Sequence, residues 1–168
     1  LNHMSKSFQN VMKDLSSMLK EVYNADKVAI VPGGGSYAME AVARQFGNEK
    51  KCLVVRNGWF SYRWSQIFEV GDFCEELFVV KARQETNENK SPFAPANVED
   101  VVAKILENRP DVVFAPHVET SAGIILPEEY LSRVSEAVHK VNGIMVLDCI
   151  ASGCAWVDMR KTAVDVLI

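Results

Sequence analysis

Residues 110–148, PDVVFAPHVETSAGIILPEEYLSRVSEAVHKVNGIMVLD, set two short apolar runs on either side of an amphipathic segment. Val112 to Ala115 is apolar at every position, as a strand buried on both faces must be. Tyr130 to Val141 carries its apolar residues at helical spacing behind Pro127, which suits the first turn of a helix, and Gly143 ends that helix. Ile144 to Leu147 is then a second run apolar throughout. Strand, helix, strand in that order predicts two parallel strands joined by a crossover helix.

The alternation continues outward from this unit. Cys52 to Val55 and Glu76 to Lys81 read as strands, Trp59 to Phe68 and Val98 to Leu106 as helices, and Val164 to Ile168 as a last strand. Toward the start, Phe8, Val11, Met12, Leu15, Met18, Leu19 and Val22 form one stripe of a helix over residues 7–23. Residues 27–32 (KVAIVP) form a β-branched run that predicts a strand, stopped by a Pro-Gly-Gly-Gly turn after which Ser36 can cap a helix. Residues 84–97, polar with two prolines, read as an exposed excursion. The expected fold class is α/β, a mostly parallel sheet with helices on both faces, forming one domain over 1–168.

Composition excludes several partners. Eighteen Lys and Arg against 22 Asp and Glu give a formal charge of −4, which leaves no broad basic surface for nucleic acid. No apolar run approaches the roughly 18 residues of a membrane helix, and the polar start carries no signal-peptide core, so a cytoplasmic protein is expected. Cys52, Cys74, Cys149 and Cys154 form no close pair that would announce a metal or redox site, and read as buried free thiols. The chain begins at Leu1, and both its ends look cut.

In open parallel sheets ligands bind at the carboxyl ends of the strands. Four such places stand out. Gly33, Gly34 and Gly35 with Ser36 can bring backbone N–H groups to a phosphate at a helix N-terminus, or merely form a turn; neither a Walker motif nor the dinucleotide G-x-G-x-x-G is present. Trp59 and Phe60 offer an aromatic platform or core packing. Thr120 and Ser121 beside Glu119 either reach a ligand or tie their own turn. Asp148 ends a fully apolar run, where an unpaired charge is costly, so either a cationic ligand or a structural donor should meet it. A phosphate cradle, a flat platform, hydroxyls and a buried acid on one edge together describe a phosphorylated, protonatable heterocycle such as pyridoxal phosphate.

Five segments then resemble, in order, the class V pyridoxal-phosphate aminotransferases of the alanine–glyoxylate and serine–pyruvate type. NHMSKSFQNVM (2–12) is similar to the family's GHM segment and helix, GGGSYAMEA (33–41) to its glycine turn followed by ALEA, and NGWFSYR (57–63) to NGxWGxR. PHVETSAGIILP (116–127) resembles HGESSTGVLxP, and VLDCIASGCAWVDM (146–159) resembles VDSVASLGGxxxxM. The resemblance implies the large domain of the aspartate-aminotransferase-like fold (fold type I), incomplete here. Gly34, Gly35 and Ser36 would hold the cofactor phosphate, Phe60 would stack on the ring, Ser121 would approach the phenolic oxygen, Asp148 would pair with the ring nitrogen, and Ile150 would press on the opposite ring face. The family's stacking aromatic is commonly Trp, which lies one place earlier here as Trp59, and its Ser36 position often holds His or Thr.

The resemblance further implies an amino acid donor such as alanine or serine, a small oxo acid acceptor, no metal, and a homodimer. The family's Ser-x-x-Gln-Lys segment, whose lysine forms the Schiff base, aligns beyond Ile168, as do the C-terminal domain and its carboxylate-binding arginine; a short N-terminal arm is also missing. A lyase or desulfurase of the same fold is the alternative enzyme, and a truncated, non-catalytic cofactor-binding module is the alternative from outside enzymology.

Overall fold

The computed structural model describes residues 2–168. Its centre is a five-stranded sheet in the order β2-β1-β5-β8-β9, formed by β1 (Lys51–Arg56), β2 (Glu76–Lys81), β5 (Val112–Pro116), β8 (Ile144–Asp148) and β9 (Val166–Leu167). Every neighbouring pair is parallel. All five carboxyl ends therefore lie along one edge, and the loops that leave them share that edge.

Helices cover both faces, as the doubly apolar strands require. On one face α2 (Gly35–Gly47) and α3 (Trp59–Gly71) bury Met39, Ala43, Trp64 and Phe68 against Cys52, Val54, Phe114 and Val146. On the other, α4 (Val98–Asn108) and α5 (Glu128–Lys140) bury Val101, Ile105, Leu131 and Val138 against Leu53, Val55, Val113 and Met145. Adjacent residues of β1 thus serve opposite cores, the period-two alternation of a strand. Trp64 and Phe68 pack tilted and edge-on against Phe114, with ring centroids 4.6 Å and 5.1 Å from it.

Two expectations need correction. Residues 27–32 do not form a strand: the run lies in no sheet, β2 and β9 occupy the sheet's edges, and an extended segment without a partner forms no ladder. The polar excursion is largely exposed and is closed by a short antiparallel pair, β3 (Arg83–Gln84) with β4 (Phe93–Ala94). The thiols are not all buried: Cys52 and Cys149 are, Cys74 is half-buried, and Cys154 is exposed. A second small hairpin, β6 (Val118–Glu119) with β7 (Ile124–Ile125), carries the hydroxyl turn. The four-residue α6 (Met159–Thr162) precedes β9. Helix α1 (Lys6–Tyr23) has the expected stripe but no buried residue, with Val11, Leu15, Met18, Leu19 and Val22 exposed. Among the described residues no helix is long and apolar enough to cross a membrane.

Candidate functional site

Strands β1, β5 and β8 lie side by side, so the loops after Arg56, Pro116 and Asp148 meet at the carboxyl edge. Glu119 is the hub between them. Its side chain is fully buried, and its carboxylate accepts hydrogen bonds from the N–H groups of Phe60 (3.1 Å) and Ser61 (2.9 Å) and from the Ser61 hydroxyl (2.6 Å). The Ser121 hydroxyl donates to the same carboxylate and accepts from the N–H of Trp59 at 2.8 Å. Burial pushes the carboxyl pKa up, but the bonds from Ser121, Ser61 and Phe60 outweigh it and hold it below the ordinary glutamate value. This carboxylate serves as the cap of α3, reached from a strand end 58 residues later in the chain. Gly58 is required by it, since a Cβ there would run into Glu119 at 2.7 Å and into the Ser121 hydroxyl.

Helix α2 starts differently. Gly34 is its N-cap and makes no side-chain cap bond, and no acidic residue stands in its first turn. Every other helix start among the described residues is supplied with its own oxygen or charge: Ser5 caps α1, Glu119 caps α3, Asp158 caps α6, and α4 and α5 open with Glu99, Asp100 and Glu128, Glu129. The first N–H groups of α2 therefore keep an unmet demand for an anion. Ser36 does not cap this helix as expected, because α2 already begins at Gly35. Its hydroxyl instead accepts from Arg63 Nη1 at 2.7 Å, which brings a cation to the same place.

Asp148 is tied to this start through Ile150, whose N–H donates to it and whose side chain lies over Gly35. It is 8% exposed, and Oδ1 accepts from the N–H of Ile150 at 3.0 Å, the structural donor that a following turn can supply. No cation reaches it at ion-pair distance among the described residues. Burial raises its pKa, the Ile150 N–H and the more distant Arg63 lower it, and the nearby Glu119 raises it, with the balance upward. The Ile150 side chain is half exposed and lies so close over Gly35 that a Cβ on that glycine would collide with it.

The two adjacent aromatics part company. Phe60 lies beneath Arg63, whose guanidinium carbon is 5.8 Å from its ring centre, so it shares a cation with Ser36. Trp59 tilts instead against Tyr62, with centroids 5.9 Å apart, and is 61% exposed.

The structure thus brings Gly35, Ser36, Phe60, Asp148 and Ile150 to one place, with Gly34 at the head of α2. Ser121 is there too, but engaged with Glu119. Sequence reasoning left Glu119 and Arg63 without roles. Arg63 carried a signal, standing three residues after Phe60 and so on the same face of a helix. Glu119 carried less, because its burial depends on donors from another element. Among the described residues no cluster of His, Cys, Asp and Glu could hold a metal ion.

No family model matches the chain. It is 32% identical over 157 residues to the 2-aminoethylphosphonate–pyruvate transaminase of Pseudomonas aeruginosa, covering 90% of this chain and 38% of that protein. It is 23% identical over 172 residues to the alanine–glyoxylate aminotransferase of Rattus norvegicus, covering 99% of this chain and again 38% of the relative. The chain therefore spans about two fifths of the length of the curated relatives it matches. In fold it is similar to the ureidoglycine–glyoxylate aminotransferase of Bacillus subtilis, with a TM-score of 0.82 at 21% identity over 99% of this chain and 41% of that one. A more distant likeness, TM-score 0.60 at 9% identity over 83% of this chain and 34% of that one, is to cystalysin from Treponema denticola, a structure that contains pyridoxal 5'-phosphate.

Proposed function

We propose that this chain, a homologue of the class V aminotransferases over nearly its whole length, is the cofactor-binding part of an aminotransferase that uses pyridoxal phosphate. The observation that carries the reading is the uncapped start of α2, with Asp148 and Phe60 beside it, while the other helix starts are provided for. The donor set fits the cofactor. Backbone N–H groups at Gly35 and Ser36, with Gly34 leaving open space, suit its phosphate. Phe60 is the ring to lie along one face of the pyridine and Ile150 along the other. Ser121 is the hydroxyl nearest in kind to the phenolic oxygen. Asp148 is the group to hold a proton on the ring nitrogen: a buried carboxyl that resists ionisation alone is brought back to the carboxylate by a cation.

Bound there, pyridoxal phosphate supplies an electron sink for the amino acid's Cα. The donor is a small amino acid such as alanine or serine and the acceptor a small oxo acid, in line with the name of the alanine–glyoxylate relative; the relative at 32% identity is named for an aminophosphonate donor, 2-aminoethylphosphonate, with pyruvate as acceptor. Burial pushes the Cys52 and Cys149 thiols up to about 12, which makes these two poor sulfur acceptors for a desulfurase, since a thiolate is the reactive form; Cys154 is exposed. Four free thiols suit the reducing cytoplasm, where we place the protein.

Asp148→Asn tests the reading with two opposite signs. Titration with pyridoxal phosphate, followed by its absorbance, should show affinity weakened by about 1.5–3 kcal/mol, the worth of a hydrogen bond to a charged group. Without cofactor the variant should be more stable than the parent at neutral pH. The parent carboxyl's raised pKa favours its protonated form, so the stability it contributes is present at acid pH and lost as pH rises through the folded value. Urea unfolding at pH 7 and at acid pH should show the gain at the first only. Unchanged affinity together with lowered stability would make Asp148 a structural residue.

The uncovered stripe of α1 supports a second expectation, a homodimer. Val11, Leu15, Met18, Leu19 and Val22 lie exposed along one stripe of the helix, a contiguous apolar surface of the kind that marks an interface. Sedimentation over a range of concentrations should show self-association that Leu15→Glu with Met18→Glu abolishes; a monomer at every concentration sinks the dimer.

A further inference from the structure

Beyond the cradle, Trp59 lines an open cavity of about 800 Å³ together with Arg56, Asn57, Tyr62, Lys81 and Phe93. The register of β1 and β2 sets Arg56 directly beside Lys81 at the carboxyl ends of the two strands. Like charges at facing positions of a sheet repel, and neither side chain has an ion-pair partner among the described residues. Arg56 rests on the ring of Tyr62, with its guanidinium carbon 4.8 Å from the centroid. One carboxylate, Glu69, shares the lining, so the cations outnumber it two to one.

Two further features of the same wall are costly when left as they are. Asn57 is 3% exposed, and neither its amide oxygen nor its amide nitrogen has a hydrogen-bond partner. Buried amides are nearly always satisfied. Trp59 and Phe93, both large and apolar, stand 61% and 49% exposed on the cavity. The Asn57 amide lies beneath the wall, out of an occupant's reach; the repelling cations and the bare aromatic rings face one concavity and are relieved together by a single kind of occupant.

We infer that this cavity binds a small aromatic acid, a flat ring carrying a carboxylate or phosphate, at a site that adjoins the cofactor cradle through Ser121 and is centred on other residues. Arg56 and Lys81 take the acid group, and Trp59, Tyr62 and Phe93 enclose the ring. Gly58 and Ser121 also line the cavity and belong to the Glu119 hub, so an occupant here sits against the framework that positions Phe60.

Calorimetric titration of the chain with phenyl phosphate and with benzoate tests this. Saturable binding of at least one is expected, and the tighter of the two names the acid group. Phenol, which keeps the ring and lacks the charge, should bind at least tenfold more weakly. Arg56→Gln with Lys81→Gln should weaken the probe at least tenfold, as should Trp59→Ala, which leaves the strand ends untouched; Lys13→Gln with Lys20→Gln, an equal charge change on α1, should not. Gly35→Asp, which closes the cradle, should leave probe binding intact, while the Arg56 and Lys81 pair leaves pyridoxal phosphate binding intact. Absence of saturable binding, equal binding of phenol, or loss in Gly35→Asp with none in the paired variant would overturn the inference. The last result would put the probe in the cradle and leave the cofactor reading standing.

Discussion

Glu119→Ala is expected to lower stability by about 3–5 kcal/mol, since each buried donor left without its acceptor costs about 1–3 kcal/mol and part of that is recovered by relaxation. In a chain of this size that is a fall in unfolding midpoint of roughly 6–20 °C. The loss is large because four donors, the Phe60 and Ser61 N–H groups and the Ser61 and Ser121 hydroxyls, lose their acceptor at once. Glu119→Gln tells geometry from charge. It retains one acceptor oxygen but turns an NH2 toward donors, so it should recover only part of the stability. The pH dependence gives an independent reading. A carboxyl held below its ordinary value of 4.5 contributes stability that is present above that pH and lost as pH falls through the depressed folded value. Unfolding free energy measured through that acid window should decline in the parent and run flatter in Glu119→Gln. A cost below about 0.5 kcal/mol for Glu119→Gln, within the range of an ordinary surface change, would show that the hub does not hold the two strand ends together.

Much of the architecture was legible because each strand announces its burial locally. Leu53 and Val55 face one core while Cys52 and Val54 face the other, and a run apolar at every position has no other soluble use than a sheet covered twice. Asp148 was legible for the converse reason: a carboxylate closing such a run is anomalous wherever the chain goes. Residues 27–32 misled by the same logic, since a β-branched run states a preference for extension and says nothing of which strand will accept its hydrogen bonds. Glu119 escaped because a glutamate beside Thr120 and Ser121 looks like a solvated turn. Its burial is decided by Ser61, 58 positions earlier. Local patterns record what a residue prefers, whereas a site is assembled from what distant elements leave unsatisfied.

The α2 start is the clearest case of such a remainder, and Gly35→Asp should weaken cofactor binding there strongly. A Cβ at this position collides with the Ile150 side chain, which would have to leave the face where the ring lies. Overpacking of this kind costs about 1–3 kcal/mol. A carboxylate at the first helical position also satisfies the helix dipole from within, removing up to about 2 kcal/mol of attraction for an outside anion. Together these give roughly 1–5 kcal/mol, a loss of about fivefold to several thousandfold in affinity at 1.4 kcal/mol per factor of ten. Gly34→Ala separates the causes, because a Cβ there meets nothing within 4 Å and adds no charge. It should bind pyridoxal phosphate within about threefold of the parent, a difference under 1 kcal/mol. Gly35→Ala should fall between the two, feeling the collision without the charge. Equal affinity in the parent and Gly35→Asp would mean that the phosphate does not sit at α2, and Arg63 with Ser36 would then be a surface pair rather than part of a cradle.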